Sequence, residues 1–206
     1  MLRRRSGDTI RITDGQGHFY EARITGEDAR ACAFQIIGQQ AAPIRPYQVH
    51  IAISPTKNAD RLEWFVEKAV EFGIDTITLL ECQHTERTYH KTERLQKVAI
   101  SAMKQSMQAR LPQINGLTPF EQVIATPAGQ KLIAYVDASN PLHLQRAATP
   151  GHSYLVLIGP EGDFTPEELA AALSRDFYKV SLGATRLRTE TAGLAACHIL
   201  HLINTL

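Results

Sequence analysis

Short apolar runs alternate with amphipathic stretches along most of this chain, and this alternation limits the fold more than any other feature. Residues 60–72 and 92–109 carry apolar side chains at helical spacing. Four apolar runs bounded by polar turns are typical of fully buried strands: 49–54, 74–80, 132–136 and 154–158. Alternating strands and helices predict an α/β fold with a mostly parallel sheet.

The C-terminal quarter continues this pattern. Thr165-Pro166-Glu167-Glu168 provides an N-cap, a proline at the first helical position and an acidic first turn, which predicts a helix to about Ser174. Residues 180–182 predict a last strand and residues 191–204 a final helix. The final helix has an apolar stripe that fits either a subunit interface or core packing: Leu194, Ile199, Leu200, Leu202 and Ile203.

The first 40 residues have a different, β-rich pattern. Strands are predicted at 9–13, 18–25 and 29–37, with a turn at residues 14–17. Prolines at positions 43 and 46 make residues 39–46 a linker, because proline disrupts ladders and helices. We therefore expect two domains, residues 1–45 and 46–206. Three strands are too few to close a barrel.

Composition excludes several classes of protein. In 206 residues, the three cysteines lie far apart and the eight histidines show no ligand spacing, which predicts a cytoplasmic protein without disulfides or metal. No apolar run reaches the ~18–20 residues of a membrane span, and the basic N-terminus lacks a signal peptide's apolar stretch. Phosphate-loop, dinucleotide-binding and nucleophile-elbow motifs are also missing.

The net charge of +1 conceals two basic segments. One is Arg3-Arg4-Arg5 at the N-terminus. The other is the stretch 84–110, with six basic and two acidic side chains, including Arg87, Lys91 and Arg110. Each run could be a solvated helix face. Together they favour a phosphate-binding surface, because lysine and arginine release condensed counterions when they bind nucleic acid.

Two glycine-bearing loops follow predicted strands, at the ends where open α/β sheets bind ligands. The first is IGPEGDF at 158–164, and the second is SLGATRLRTETAG at 181–193. Taken singly, the first could be a tight turn with a capping acid, and the second could cap the final helix. Two such loops at neighbouring strand ends favour a ligand site.

These motifs resemble the SPOUT methyltransferases, most closely the bacterial 16S ribosomal RNA uracil-N3 (RsmE-like) family. That family has an IGPEGG-type loop before an acidic helix start, followed by SLGxxILRxETA. The similarity extends upstream to Lys57, the EKAVEFGI segment at 67–74, and residues 102–112. Asp163 replaces the second glycine, and Arg186 replaces isoleucine. The N-terminal domain looks shortened by roughly twenty residues relative to the family.

The resemblance implies a deep trefoil knot with a parallel sheet, preceded by a small, shortened PUA-like β-barrel. It implies S-adenosylmethionine as cofactor, a homodimer, and 16S ribosomal RNA or the small ribosomal subunit as partner. Eight residues would hold the cofactor: Gly159, Pro160, Glu161, Gly162, Leu182, Gly183, Leu187 and Arg188. Eight would bind RNA: Arg3, Arg4, Arg5, Lys57, Arg87, Lys91, Gln105 and Arg110.

The implied reaction is methylation of N3 of an unpaired or flipped-out uridine. Arg188 would stabilise negative charge on O2 or O4 of the base. Glu190 is a candidate proton acceptor, although it could instead cap the helix or pair with Arg188. Two alternatives stay open: a SPOUT enzyme acting on another RNA, such as transfer RNA, and a catalytically weak ribosome-assembly protein.

Overall fold

The computed structural model describes residues 5–27, 31–86, 92–135 and 142–205. Nine strands occur in this part of the chain: β1 Thr9–Thr13, β2 His18–Glu27, β3 Cys32–Ala41, β4 Gln48–Ile53, β5 Thr76–Glu81, β6 Gln113–Pro119, β7 Gln130–Ala134, β8 Ser153–Ile158 and β9 Phe177–Val180. Six helices accompany them: α1 Ala59–Phe72, α2 Thr92–Gln105, α3 Phe120–Ile124, α4 Leu144–Ala147, α5 Pro166–Leu173 and α6 Thr189–Ile203.

A six-stranded sheet forms the centre of the molecule, with the order β6-β5-β4-β8-β7-β9. Every neighbouring pair in it is parallel, which confirms the α/β fold and the parallel sheet. Alternate residues of β4 point to opposite faces: Ile51 and Ile53 join a core with α1, α2, α4 and α6, whereas Ala52 joins one with α3 and α5. Helices cover both faces, as expected for a parallel sheet.

Local sequence accounts for the ends of two helices. The Asn58 side chain caps α1, and Gly73 ends that helix at φ 87°, a conformation that suits glycine. At α5 the Thr165 hydroxyl accepts from the Glu168 amide while the Glu168 carboxylate accepts from the Thr165 amide. The start predicted at Thr165-Pro166 is thereby confirmed, and the helix ends beside Ser174 as expected.

Other boundaries differ from the predictions. Helix α2 stops at Gln105 and not at residue 109, because Met107 takes a left-handed φ of 53°. Strand β3 begins three residues later than expected and runs to Ala41. Elements β6, α3 and α4 were not predicted. Strand β6 lies at the sheet edge and is only partly buried, so its mixed polar sequence lacks an apolar run.

An antiparallel three-stranded sheet, in the order β1-β2-β3, precedes the parallel one. The β1–β2 turn contains Gly15 and Gly17, both with positive φ. It contacts the segment after α2, where the Gly17 amide donates to the Ala109 carbonyl over 2.9 Å and the Leu111 amide donates to the Gly15 carbonyl over 2.8 Å. A helix that could span a membrane is not found among the residues that the structure describes.

Candidate functional site

A cavity of about 790 Å³ opens at the carboxyl ends of β7, β8 and β9. It is lined by residues 134–135, 158–163, 180–189 and 192, so both glycine-bearing loops form its walls. The two loops do not follow neighbouring strands, because β7 lies between β8 and β9. The expectation of adjacent strands was therefore wrong, but a single cavity does join the loops.

The first loop lies close to its neighbours at two glycines, where a side chain would push the neighbouring group away by a few tenths of an ångström. A Cβ at Gly159 would lie 3.1 Å from the Phe164 ring, and one at Gly162 would lie 3.3 Å from Cβ of His84. The Thr189 hydroxyl donates a hydrogen bond to the Gly159 carbonyl over 3.2 Å. The start of α6 is thus attached directly to the loop that follows β8.

Asp163 ends the first loop in a left-handed conformation with φ 61°. Its amide donates to the Pro160 carbonyl over 3.0 Å, and its carboxylate accepts from the Phe164 amide over 2.8 Å. The His84 ring donates from Nδ1 to the Asp163 carbonyl over 3.1 Å. Aspartate tolerates this conformation better than most residues, which explains how it can occupy the second glycine position of the motif.

The second loop begins with a turn that requires glycine. Gly183 has φ 142°, and its amide donates to the Ser181 hydroxyl oxygen over 3.2 Å. Leu187 and Arg188 are exposed, and Arg188 occupies the N-cap of α6 in extended conformation without a capping bond from its side chain. The loop therefore brings both apolar side chains, Leu182 and Leu187, and cationic side chains, Arg186 and Arg188, to the cavity lining.

All eight predicted cofactor residues line this cavity, on either side of its opening. Glu190, the second catalytic candidate, is outside the cavity lining, in the first turn of α6. Its side chain is buried, and its carboxylate lies 3.7 Å from Nε of Arg61. Its ion-pair partner is thus Arg61, whereas the alternative stated above was a pair with Arg188.

The structure describes four of the eight predicted RNA-binding residues. Lys57 lies 2.7 Å from the Glu86 carboxylate near the carboxyl end of β4. Arg110 donates to the Gln16 carbonyl over 3.3 Å, against the β1–β2 turn. Gln105 and Arg5 are exposed. The other four, Arg3, Arg4, Arg87 and Lys91, lie outside the described residues.

Several cavity residues were not predicted from sequence, among them Tyr135, Arg186, Thr189 and Ala192. The only available signal was their position in or beside the second loop. Among the described residues no group of three or more histidine, cysteine or acidic side chains could hold a metal ion. Burial raises the pKa of the Cys82 and Cys197 thiols, so neither is a reactive nucleophile.

Comparison with known proteins agrees with this geometry. The RNA methyltransferase domain family matches residues 43–201. The ribosomal RNA small subunit methyltransferase E of Aquifex aeolicus is 26% identical over 189 residues, covering 90% of this chain and 82% of that protein. The chain belongs to the RNA methyltransferase domain family, which confirms the resemblance inferred from the two loops.

Two solved structures share the fold over nearly the whole chain. One is the crystal structure of a probable rRNA-methyltransferase from Porphyromonas gingivalis, which is 45% identical in sequence and has a TM-score of 0.92. The match covers 98% of this chain and 87% of the Porphyromonas gingivalis chain. A ribosomal RNA small subunit methyltransferase E from Neisseria gonorrhoeae, bound to S-adenosyl methionine, is 25% identical with a TM-score of 0.88. The match covers 97% of this chain and 85% of the Neisseria gonorrhoeae chain.

Proposed function

We propose that this protein uses S-adenosylmethionine to methylate N3 of a uridine in 16S ribosomal RNA. The observation that carries the proposal is the single cavity formed by both loops and held together by the Thr189–Gly159 hydrogen bond. The relatives support it, since the Neisseria gonorrhoeae protein is a small-subunit rRNA methyltransferase bound to the same cofactor.

The residues present fit the cofactor. A cavity of about 790 Å³ lies within the usual range for small-molecule sites. Leu182 and Leu187 offer apolar surface for the adenine, while the close-packed backbone at Gly159 and Gly162 offers hydrogen-bonding groups. When bound, the cofactor supplies an electrophilic methyl group, and the protein supplies position and charge.

Arg188 is the residue best placed to stabilise charge that develops on uracil when N3 loses its proton. It lines the cavity, and within the described part of the chain its side chain forms no ion pair or hydrogen bond. A guanidinium can donate to O2 or O4 of the base. Glu190 stays a candidate proton acceptor, although its burial against Arg61 supports a role in holding α6.

RNA would contact exposed polar and basic side chains, of which Lys57 lies near the carboxyl end of β4 and Arg110 lies against the β1–β2 turn. Lys57, Gln105 and Arg110 are exposed, and residues 1–45 would add a PUA-like RNA-binding domain to a methyltransferase domain at 46–206. The antiparallel three-stranded sheet of β1, β2 and β3 supports a separate β-rich unit in this part of the chain. Because pairing hides N3, the target uridine would be unpaired or flipped out.

We also propose that the C-terminal segment is knotted. Ser181, just after β9, donates its amide hydrogen bond to the Leu142 carbonyl over 2.8 Å and accepts from the Leu144 amide over 2.9 Å. The chain after β9 thus runs against the chain that follows β7. It then returns across the sheet to pack α6 against β4 and α1, a path that supports a threaded arrangement.

The protein would act as a cytoplasmic homodimer. Leu200 of the final helix is buried in the core, whereas Leu202 is 37% exposed. The apolar stripe of α6 therefore serves mainly for core packing and leaves a smaller surface for a second subunit. Sedimentation of the full chain measures the oligomeric state directly.

The function is tested by calorimetric titration with S-adenosylmethionine and by methylation of purified small ribosomal subunits, followed by mass mapping of the modified nucleotide. We expect cofactor binding, an N3-methylated uridine in 16S RNA, and loss of methylation in Arg188→Ala. Methylation of a transfer RNA instead would support the second RNA target. Cofactor binding without turnover would support the ribosome-assembly protein.

A further inference from the structure

We propose that Arg186 binds a phosphate group of the RNA strand at the mouth of the cavity. This inference rests on the proposed function and adds a substrate contact that the RNA-binding residues predicted from sequence do not include. The proposed contact positions the RNA strand over the cavity. Arg186 takes no part in the methyl transfer itself.

Arg186 lies at the cavity, two residues from the arginine proposed to face the base. Arg186 and Arg188 both line the cavity and both are exposed, on the loop that forms one of its walls. Arg188 is the group proposed to face the base. A second guanidinium two residues away on the same loop is within reach of the sugar–phosphate backbone of that nucleotide or its neighbour.

The side chain of Arg186 is available to bind a ligand. Within the described ranges, the side chains of Arg186 and Arg188 take part in no ion pair, hydrogen bond or ring contact. By contrast, Lys57 is paired with Glu86, and Arg94 is paired with Glu63. A planar guanidinium presents donors in a fork that matches two oxygens of a phosphate.

The two walls of the cavity carry charges of opposite sign. The wall formed by the first loop carries Glu161 and Asp163, while the wall formed by the second loop carries the two arginines. A cofactor with a sulfonium and an ammonium group is favoured beside the acidic wall. An RNA phosphate is favoured beside the arginine wall, so the two ligands are separated by the charge of their surroundings.

The motif that the second loop resembles has isoleucine where this chain has Arg186. An exposed arginine at the opening of a ligand cavity adds a charge that isoleucine cannot supply. The contact is therefore a property of this chain's own loop, and replacing Arg186 by isoleucine restores the motif while removing the proposed phosphate ligand.

The test measures equilibrium binding of the full-length protein to small ribosomal subunits over a series of salt concentrations. We expect Arg186→Gln and Arg186→Ile to raise Kd for the subunit roughly tenfold at low salt. The slope of log Kd against log salt should fall by about one, the value for one phosphate contact. Arg186→Lys should keep most of that slope, and the exposed Arg175→Gln serves as the matched control.

Affinity for S-adenosylmethionine, measured by calorimetry, should be unchanged in all four variants. The proposal is wrong if the Arg186 variants keep the wild-type Kd and salt slope, or if they weaken cofactor binding instead. Failure of the proposed function would be seen differently, as a wild-type protein that neither binds the cofactor nor methylates the subunit. The salt slope would still report the phosphate contact in that case.

Discussion

The hydroxyl of Thr189 donates a hydrogen bond to the carbonyl oxygen of Gly159 over 3.2 Å, joining the first residue of α6 to the loop after β8. These residues lie 30 positions apart in the chain. Thr189 is buried, so water cannot replace the bond at low cost. The contact links the two walls of the cavity.

Replacing Thr189 by valine keeps the shape of the side chain but leaves the Gly159 carbonyl without this donor. We expect the free energy of unfolding to fall by about 1–3 kcal/mol, as measured by urea denaturation. We also expect several-fold weaker cofactor binding by calorimetry. Thr191→Val, an exposed position on the same helix, is the control. Equal effects at both positions would contradict this role for the hydroxyl.

Gly193 allows α6 to pack closely against β4 and α1. A Cβ there would lie 2.8 Å from Ile53 Cδ1 and 2.8 Å from Phe65 Cε2. Alanine normally stabilises a helix by about 0.5–1 kcal/mol relative to glycine. In Gly193→Ala we expect the opposite sign, a loss of about 1–3 kcal/mol from overpacking, in thermal or urea unfolding.

The control for Gly193 is Gly116→Ala, where a Cβ would meet nothing closer than Thr92 Cγ2 at 3.7 Å. That variant should stay within about 0.5 kcal/mol of the wild type. A stabilised Gly193→Ala would show that the helix can move away from the sheet at no cost, contrary to the packing described.

Gly183 has space for a side chain but not the backbone conformation that a side chain tolerates. Nothing lies within 4 Å of a Cβ built there, and its φ is 142°. Gly183→Ala should therefore distort the second loop through strain of about 1–3 kcal/mol and weaken cofactor binding roughly tenfold in calorimetry. The neighbouring exposed Ala184→Ser should bind normally. Wild-type affinity in Gly183→Ala would exclude a constraint at this turn.

His201 should make the protein sensitive to acid. Burial, assisted by the positive charge of Arg45 and by His198, lowers the pKa of His201 to about 4. Its Nδ1 lies 3.0 Å from the Tyr47 hydroxyl, and its buried Nε2 has no hydrogen-bond partner in the described structure. A charged imidazole is therefore strongly disfavoured in the folded protein.

In the unfolded chain His201 takes a proton near pH 6.5, whereas in the folded protein it does so only near pH 4. Between these values the unfolded state binds more protons, so stability is present above pH 6.5 and is lost as pH falls toward 4. The loss from this residue reaches about 3 kcal/mol. Burial also lowers the pKa of His50 to about 4, which adds to the same effect.

Urea denaturation at pH 7 and pH 5 checks this prediction. His201→Gln retains an acceptor for the Tyr47 hydroxyl and cannot be protonated, so the difference in stability between the two pH values should shrink. The exposed His152→Gln should leave that difference as in the wild type. An unchanged difference in His201→Gln would assign the acid sensitivity to other groups.

Helix ends that depend on residues close in sequence were predicted correctly. The capping box of Thr165 and Glu168 and the left-handed stop at Gly73 each involve a few neighbouring residues. The end of α2 was predicted wrongly, because the left-handed turn at Met107 has no glycine to indicate it. Strand β6 was missed since an edge strand that is only partly buried needs no apolar run.

The two loop motifs, by themselves, indicated the family and eight of the residues that line the cavity, because a tight turn demands glycine wherever it occurs. Only the tertiary structure decided that β7 separates the two strands, that Thr189 joins the loops, and that Glu190 packs against Arg61 outside the cavity lining. These relationships link residues distant in the chain, and sequence spacing carries no information about which distant partners a fold brings together.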